Sequence, residues 1–346
     1  MTDLCRHQPD FAQFLKVLRR EGRPDHLPFY EHLASPGFIA RRVGHELPPW
    51  GTADFWRCIV DFWLGMGYDC IPMEIPPRLT LQSSDTEAGA RSHRSEATAC
   101  LRTLEDFERY PWPEGEPIDF THFEIVAGLL PEGAKIVGGV CAGPFEWATY
   151  LMGVEGLALA THDNPELVRL VFEKIGSLHL AANRQLATMD AIGATRQGDD
   201  LGFKTATFLR PDDLRRHVLP IYKQMAAIAH AQGKPFILHS CGNLAEVYPD
   251  LIEDCCIDAK HSFEEAIMPV EEFKALYGDR MTPLGGLDVD IICRADEAEL
   301  RAYTRDKIAK CFGDGWWALG TGNSLTDYMP VENYLIVLDE ARKITA

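Results

Sequence analysis

The sequence lacks any apolar run that approaches the ~18 residues a bilayer-spanning helix needs, so no segment reads as membrane-spanning. No charged-then-apolar leader opens it either. Residues 1–20 are an amphipathic mixture that includes Arg19 and Arg20, and a cytoplasmic protein is expected. The ten cysteines are scattered and only Cys255 and Cys256 adjoin, so the spacing is not that of a disulfide framework, and reduced thiols are expected. Basic residues are scarce: 34 Lys and Arg stand against 52 Asp and Glu, for a net charge of −18. That balance argues against nucleic acid or an anionic membrane as the main partner. It also weighs against a highly anionic substrate unless a local basic pocket receives it. There is no Gly-x-Gly-x-x-Gly after a first strand and no phosphate loop, which counts against a doubly wound nucleotide-binding sheet. Gly/Ser-rich linkers, internal repeats and low-complexity tracts are missing too, so residues 1–346 read as one domain.

What the sequence does have is a succession of short apolar runs that end in Gly, Asp, His or Asn. They span residues 67–75, 135–143, 191–200, 235–242, 257–263, 281–288 and 316–323, with a weaker one at 27–33. Helical patterns separate most of them. Leu214, Val218, Ile221, Met225 and Ile228 form one stripe between Pro211 and Gly233, which predicts a helix over about 212–232. Asn164-Pro165-Glu166 supplies a cap residue, a first-turn proline and an acid, opening a second helix with Val168, Val171, Ile175 and Leu178 as its stripe. Pro330 begins the last. Eight strands alternating with helices predict a parallel sheet closed into a (β/α)8 TIM barrel. The long stretch 76–131 fits an insertion after the second strand that covers substrate.

In such a barrel the functional residues collect at the carboxyl ends of the strands. Those ends read Glu31-His32, Glu74, Cys141, Asp199-Asp200, His239 and Cys241, Lys260-His261, Asp288, then Thr321 and Asn323. Side chains alternate along a strand, so His239 and Cys241 point the same way, and imidazole and thiolate are the ligands zinc prefers. Glu74 is a candidate for a further ligand. Asp199, Asp200 and Asp288 are candidate general bases or hydrogen-bond acceptors. Gly286, next to Gly285, lets backbone approach a ligand closely, as do Gly320 and Gly322 around Thr321. Only one of Lys260 and His261 can face the lumen, and Lys204 with Arg210 could form an anion site in the fourth loop.

The segments His239-Ser240-Cys241-Gly242-Asn243, Gly285-Gly286-Leu287-Asp288 and Gly320-Thr321-Gly322, followed by Pro330-Val331-Glu332-Asn333, resemble the uroporphyrinogen decarboxylase superfamily. That superfamily includes the decarboxylase and the corrinoid-linked methyltransferases that activate a thiol on zinc. The likeness is strongest over about residues 190–340 and looser before, through Glu105–Trp112 and Gly143–Glu146. It implies a (β/α)8 barrel. The Arg-Gln-Ala-Gly-Arg-Tyr motif of the decarboxylase is missing; the region reads Arg19-Arg20-Glu21-Gly22-Arg23-Pro24. Of the methyltransferase ligands, His239 and Cys241 match, while Thr321 stands where the later Cys would be.

The leading expectation is therefore a metal-assisted methyltransferase. His239, Cys241 and a further donor would hold zinc, a corrinoid or a methoxylated substrate would supply the methyl group, and a corrinoid carrier protein is a possible partner. Asp199 or Asp200 would orient the acceptor, with Asp288 and Asn323 fixing it. A metal-free decarboxylase of a small or tetrapyrrole acid is the alternative, with Asp200 or Asp288 stabilising a developing cation and Lys204, Arg210 and Lys260 holding carboxylates. A non-catalytic protein that binds a small molecule or a corrinoid is the third reading. A homodimer is the family-level expectation.

Overall fold

The computed structural model describes residues 7–81 and 99–345. Six parallel strands form one sheet in chain order: β1 (Cys70–Ile75), β2 (Lys135–Val140), β3 (Ile192–Gly198), β4 (Phe236–His239), β5 (Ala259–His261) and β6 (Thr282–Pro283). Two further segments continue the curve as isolated parallel bridges. Leu284 pairs with Ala318, Leu287 with Thr321, and Leu319 in turn with Phe29. The expected strands at 281–288 and 316–323 thus reduce to short contacts. Gly285 and Gly286, at φ 71° and 106°, end the extended backbone just after Leu284.

Eight segments nonetheless share one interior. Tyr30, Cys70, Val137, Ala194, Ile237, Ala259, Leu284 and Ala318, one from each, form a single fully buried cluster. An eight-stranded barrel fills its interior with such a layer, which marks this architecture as a (β/α)8 barrel. The helix Phe11–Arg19 closes the amino-terminal end of the barrel. Asp10 caps it by accepting from Ala12 N, and Phe11, Phe14, Val17 and Leu18 turn into the same cluster.

The helices follow from local chemistry, with one exception. Asn164 caps Pro165–Thr188 by accepting from Leu167 N, and Val168, Val171, Ile175 and Leu178 are buried as their spacing requires. The single helix expected over 212–232 is instead two, Pro211–His217 and Leu219–Ala231. Pro220 has no N–H to donate and its ring crowds the carbonyl four residues earlier, so the chain re-starts at Val218. The stretch after β1 carries the helices Leu104–Arg109 and Thr121–Ala127, and its residues 82–98 lie outside the described residues. Among the described residues no helix is long and apolar enough to cross a membrane.

At the base of β1, fully buried Asp69 receives His7 Nε2 at 2.7 Å and His26 Nε2 at 2.8 Å, and accepts from Asp10 N at 2.9 Å. Burial pushes the Asp69 carboxyl up, but the two imidazole hydrogen bonds outweigh it, taking the pKa from 3.8 to about 2. A depressed carboxyl contributes stability above its unfolded value and loses it as pH falls through the folded one. Asp69→Asn should therefore cost ~2 kcal/mol at neutral pH. The gap to the parent should close as pH falls from about 4 to about 2, as read by urea denaturation. A gap that stays constant through that range would refute the linkage.

Candidate functional site

The strand register assembles the site. Parallel pairing sets Gly198 beside His239, and His239 beside His261, so the carboxyl ends of β3, β4 and β5 meet at one level. Alternation then turns Arg196, Gly198 and Asp200 into the lumen, together with His239 and Cys241. A Cβ at Gly198 would stand 2.8 Å from the His32 imidazole and 3.3 Å from Glu74 Oε1, so only glycine leaves room for them.

Three imidazoles occupy this level. His32 stacks on His239 with ring centroids 3.8 Å apart, and His239 Nδ1 lies 2.7 Å from His261 Nδ1. Burial, with Lys260 and Arg196 nearby, lowers His239 to about 3. Burial and the neighbouring His239 hold His261 well below its ordinary value. Burial, with His239 beside it, lowers His32 too, so all three rings are biased toward the neutral form.

Beyond His239 the mouth opens. Cys241 Sγ lies 3.6 Å from His239 Nε2, and Asp200 Oδ1 lies 3.6 Å from the same nitrogen. Cys241 N donates to Asp200 Oδ1 at 3.0 Å, which fixes the carboxylate beside the thiol. Ligand atoms of Asp200, His239 and Cys241 all fall within 4.8 Å of one another. Two more donors point at the sulfur, Asn323 Nδ2 at 3.3 Å and Ser262 Oγ at 3.5 Å. Burial and then the Asp200 charge push the Cys241 thiol well up. Without a cation, sulfur here keeps its proton. A bound metal ion would reverse that balance, because a coordinating thiol is deprotonated outright.

Deeper in the lumen, Arg196 is 1% exposed. Its Nη1 donates to the His32 carbonyl oxygen and lies 3.3 Å from His32 Nδ1, and its Nη2 lies 3.6 Å from Glu74 Oε2. Glu74 Oε1 is 3.3 Å from His32 Nε2. Glu74 thus sits in a cluster of three with Arg196 and His32, outside the group formed by Asp200, His239 and Cys241. Burial raises its pKa while Arg196 lowers it.

The other expected residues fall elsewhere. Asp199 points away from the lumen and caps the helix Pro144–Met152, accepting from Glu146 N at 2.8 Å, Phe145 N at 3.0 Å and Tyr222 Oη at 2.6 Å. Burial, then Glu146, raises its pKa to about 8. Asp288 caps the helix Val289–Arg294 through Asp290 N and Ile291 N. Lys260 faces outward, 4.4 Å over the Phe263 ring, and donates to the Ser240 and Ser262 carbonyl oxygens. Lys204 is exposed, and Arg210 pairs with Asp213. Gly286 donates its amide to the Thr321 carbonyl at 3.0 Å. The Thr321 hydroxyl donates to Glu31 Oε2 at 2.6 Å and its amide to Glu31 Oε1 at 2.5 Å, so this side chain is turned away from Cys241. Tyr334 Oη also donates to Glu31, whose burial raises its pKa to about 7. Beside Asn323 a cleft of about 610 Å³ opens to the surface between Glu264, Asp288 and Tyr328.

Reading the strand ends did not bring out Arg196, Ser262 or the role of His32. Arg196 left a signal: a lone charge inside the run 192–198, in phase with Ala194 and Gly198.

The model of the family described as uroporphyrinogen decarboxylase (URO-D) matches residues 91–344. Among solved structures the chain is similar to a methyltransferase from Methanosarcina mazei. The two share 16% identity and a TM-score of 0.70, over 98% of this chain and 100% of that one. A B12-independent methionine synthase from Shewanella sp. W3-18-1, in complex with selenomethionine, shares 13% identity at a TM-score of 0.44, over 65% of this chain and 66% of that one. No curated protein matches the chain.

Proposed function

Because the chain belongs to the uroporphyrinogen decarboxylase family, we propose that its barrel mouth holds a metal ion, zinc in first place, and transfers a methyl group. The observation that carries this reading is the convergence of one nitrogen, one sulfur and one carboxylate oxygen, from His239, Cys241 and Asp200, within 4.8 Å. Three protein ligands and an open fourth position are what a catalytic zinc site requires. Zinc bound there would lower the pKa of a substrate thiol, hydroxyl or water and so supply the nucleophile that accepts the methyl group. A corrinoid methyl donor, delivered by a carrier protein, follows from the family likeness, and the similar structure from Methanosarcina mazei is itself a methyltransferase.

The chain's own residues have distinct tasks in this reading. Asp200, held by the Cys241 amide, replaces the second sulfur with an oxygen, because Thr321 is engaged with Glu31. Asn323 and Ser262 donate to the Cys241 sulfur and steady it as a thiolate. The cleft beside Asn323 gives the acceptor a way in from solvent. His32 and the Arg196–Glu74 pair back the His239 ring and fill the lumen below it, which leaves the mouth as the side from which a substrate approaches.

Protein purified without chelator should contain about one zinc per chain, by elemental analysis. His239→Ala and Cys241→Ala should lose it. Asp200→Asn should weaken zinc at least about tenfold in competition with a chromophoric chelator. Metal near zero in the parent protein would end the metal reading. Methylcobalamin and a thiol, offered together, test the transfer itself through the loss of the methyl-corrinoid spectrum.

A further inference from the structure

His261 is not one of the three converging donors, yet it lies directly behind one of them, His239. The Thr321 carbonyl oxygen lies 3.1 Å from His261 Nε2 and carries no proton, so that nitrogen must be the N–H of the neutral ring. Nδ1 of His261 is then a bare acceptor. The 2.7 Å gap to His239 Nδ1 holds one proton, and it belongs to His239. Its other nitrogen, Nε2, is left unprotonated and faces Cys241 and Asp200 at 3.6 Å each.

We infer that His261 is a positioning residue, fixed by the Thr321 carbonyl, that locks His239 in the tautomer whose Nε2 is free to bind a metal. The role rests on the metal reading above. Thr321 thereby acquires a function: its hydroxyl and amide anchor on Glu31, and its carbonyl sets the imidazole relay. The ring is held in place as well. A Cβ at Gly285 would stand 2.9 Å from the His261 ring, and Tyr30 packs edge-on against it at 5.6 Å. Metal-bound histidines usually donate their second N–H to an oxygen acceptor. Here another imidazole takes that place and passes the bond on to backbone.

Two replacements separate the relay from simple packing. Asparagine places its carbonyl oxygen near the position of Nδ1, so His261→Asn keeps the acceptor for His239. Glutamine places its amide nearer Nε2, so His261→Gln keeps only the bond to Thr321. Both lose the ring. Zinc affinity, measured by chelator competition, should fall about ten- to a hundredfold in His261→Gln and stay within about threefold of the parent in His261→Asn. Long-range proton–nitrogen NMR on 15N-histidine-labelled, metal-stripped protein reads the tautomer directly, with His239 assigned by its alanine variant. His239 should carry its proton on Nδ1 in the parent and in His261→Asn. A proton on Nε2 in the parent, or equal zinc affinity in both variants, overturns the relay. A parent with the Nδ1 proton and no affinity for zinc leaves the relay standing and removes the metal reading alone.

Discussion

Arg196→Met is expected to destabilise the fold by about 3–5 kcal/mol, the cost of leaving a buried charge without its partner. The guanidinium is the cation that faces Glu74 and also donates to the His32 carbonyl oxygen, and it is itself buried. Methionine fills much of the space but offers no charge, so the Glu74 carboxyl, already raised by burial, rises further. A carboxyl raised in the folded state costs stability as pH climbs through its folded value. The deficit should therefore be larger at about pH 8 than at about pH 5, in urea denaturation. Replacing the pair together, Arg196→Met with Glu74→Leu, should recover most of the loss, since a buried pair exchanged for apolar side chains is often neutral. A single-variant loss under about 1 kcal/mol would mean that the pair is not desolvated as its burial implies.

Cys241→Ala should abolish methyl transfer while sparing the fold. Removing a metal ligand forfeits several kcal/mol of transition-state stabilisation, so a drop of about a thousandfold or more, ~4 kcal/mol, is expected. Stability should move by under about 1 kcal/mol, because the side chain is small and only partly buried at the mouth. Ser262→Ala and Asn323→Ala each remove one hydrogen bond to the same sulfur and should cost about tenfold each. Turnover in Cys241→Ala within about tenfold of the parent would place the chemistry elsewhere in the lumen.

The sequence carried more of the frame than of the site. The eight wall segments, six of them strands and the rest short bridges, were legible because each apolar run stops at a polar residue where the chain leaves the barrel wall. The shared face of His239 and Cys241 followed from period-two alternation alone. The same rule could not say which of Asp199 and Asp200 faces inward. That depends on the phase of β3 relative to its neighbours, and only the pairing of Gly198 with His239 fixes it. Nor could spacing show that Glu31, far away in the chain, occupies both the hydroxyl and the amide of Thr321. Glu74, Arg196 and His32 come from three separate segments, and their grouping is a property of the folded barrel. The break at Val218 shows the converse, a hydrophobic stripe that continues unbroken across a proline that the backbone cannot accommodate in one helix.

The helix Phe11–Arg19 seals the amino-terminal end with Phe14, Val17 and Leu18, so among the described residues the carboxyl end is the mouth of the flask. In the proposed transfer, two reactants bound for the same sulfur, nitrogen and oxygen would share that doorway and queue for it. Under that proposal the order of arrival would be set at the rim, by the loops around Asn323 and Asp288 that line the cleft, and traffic there would ration turnover.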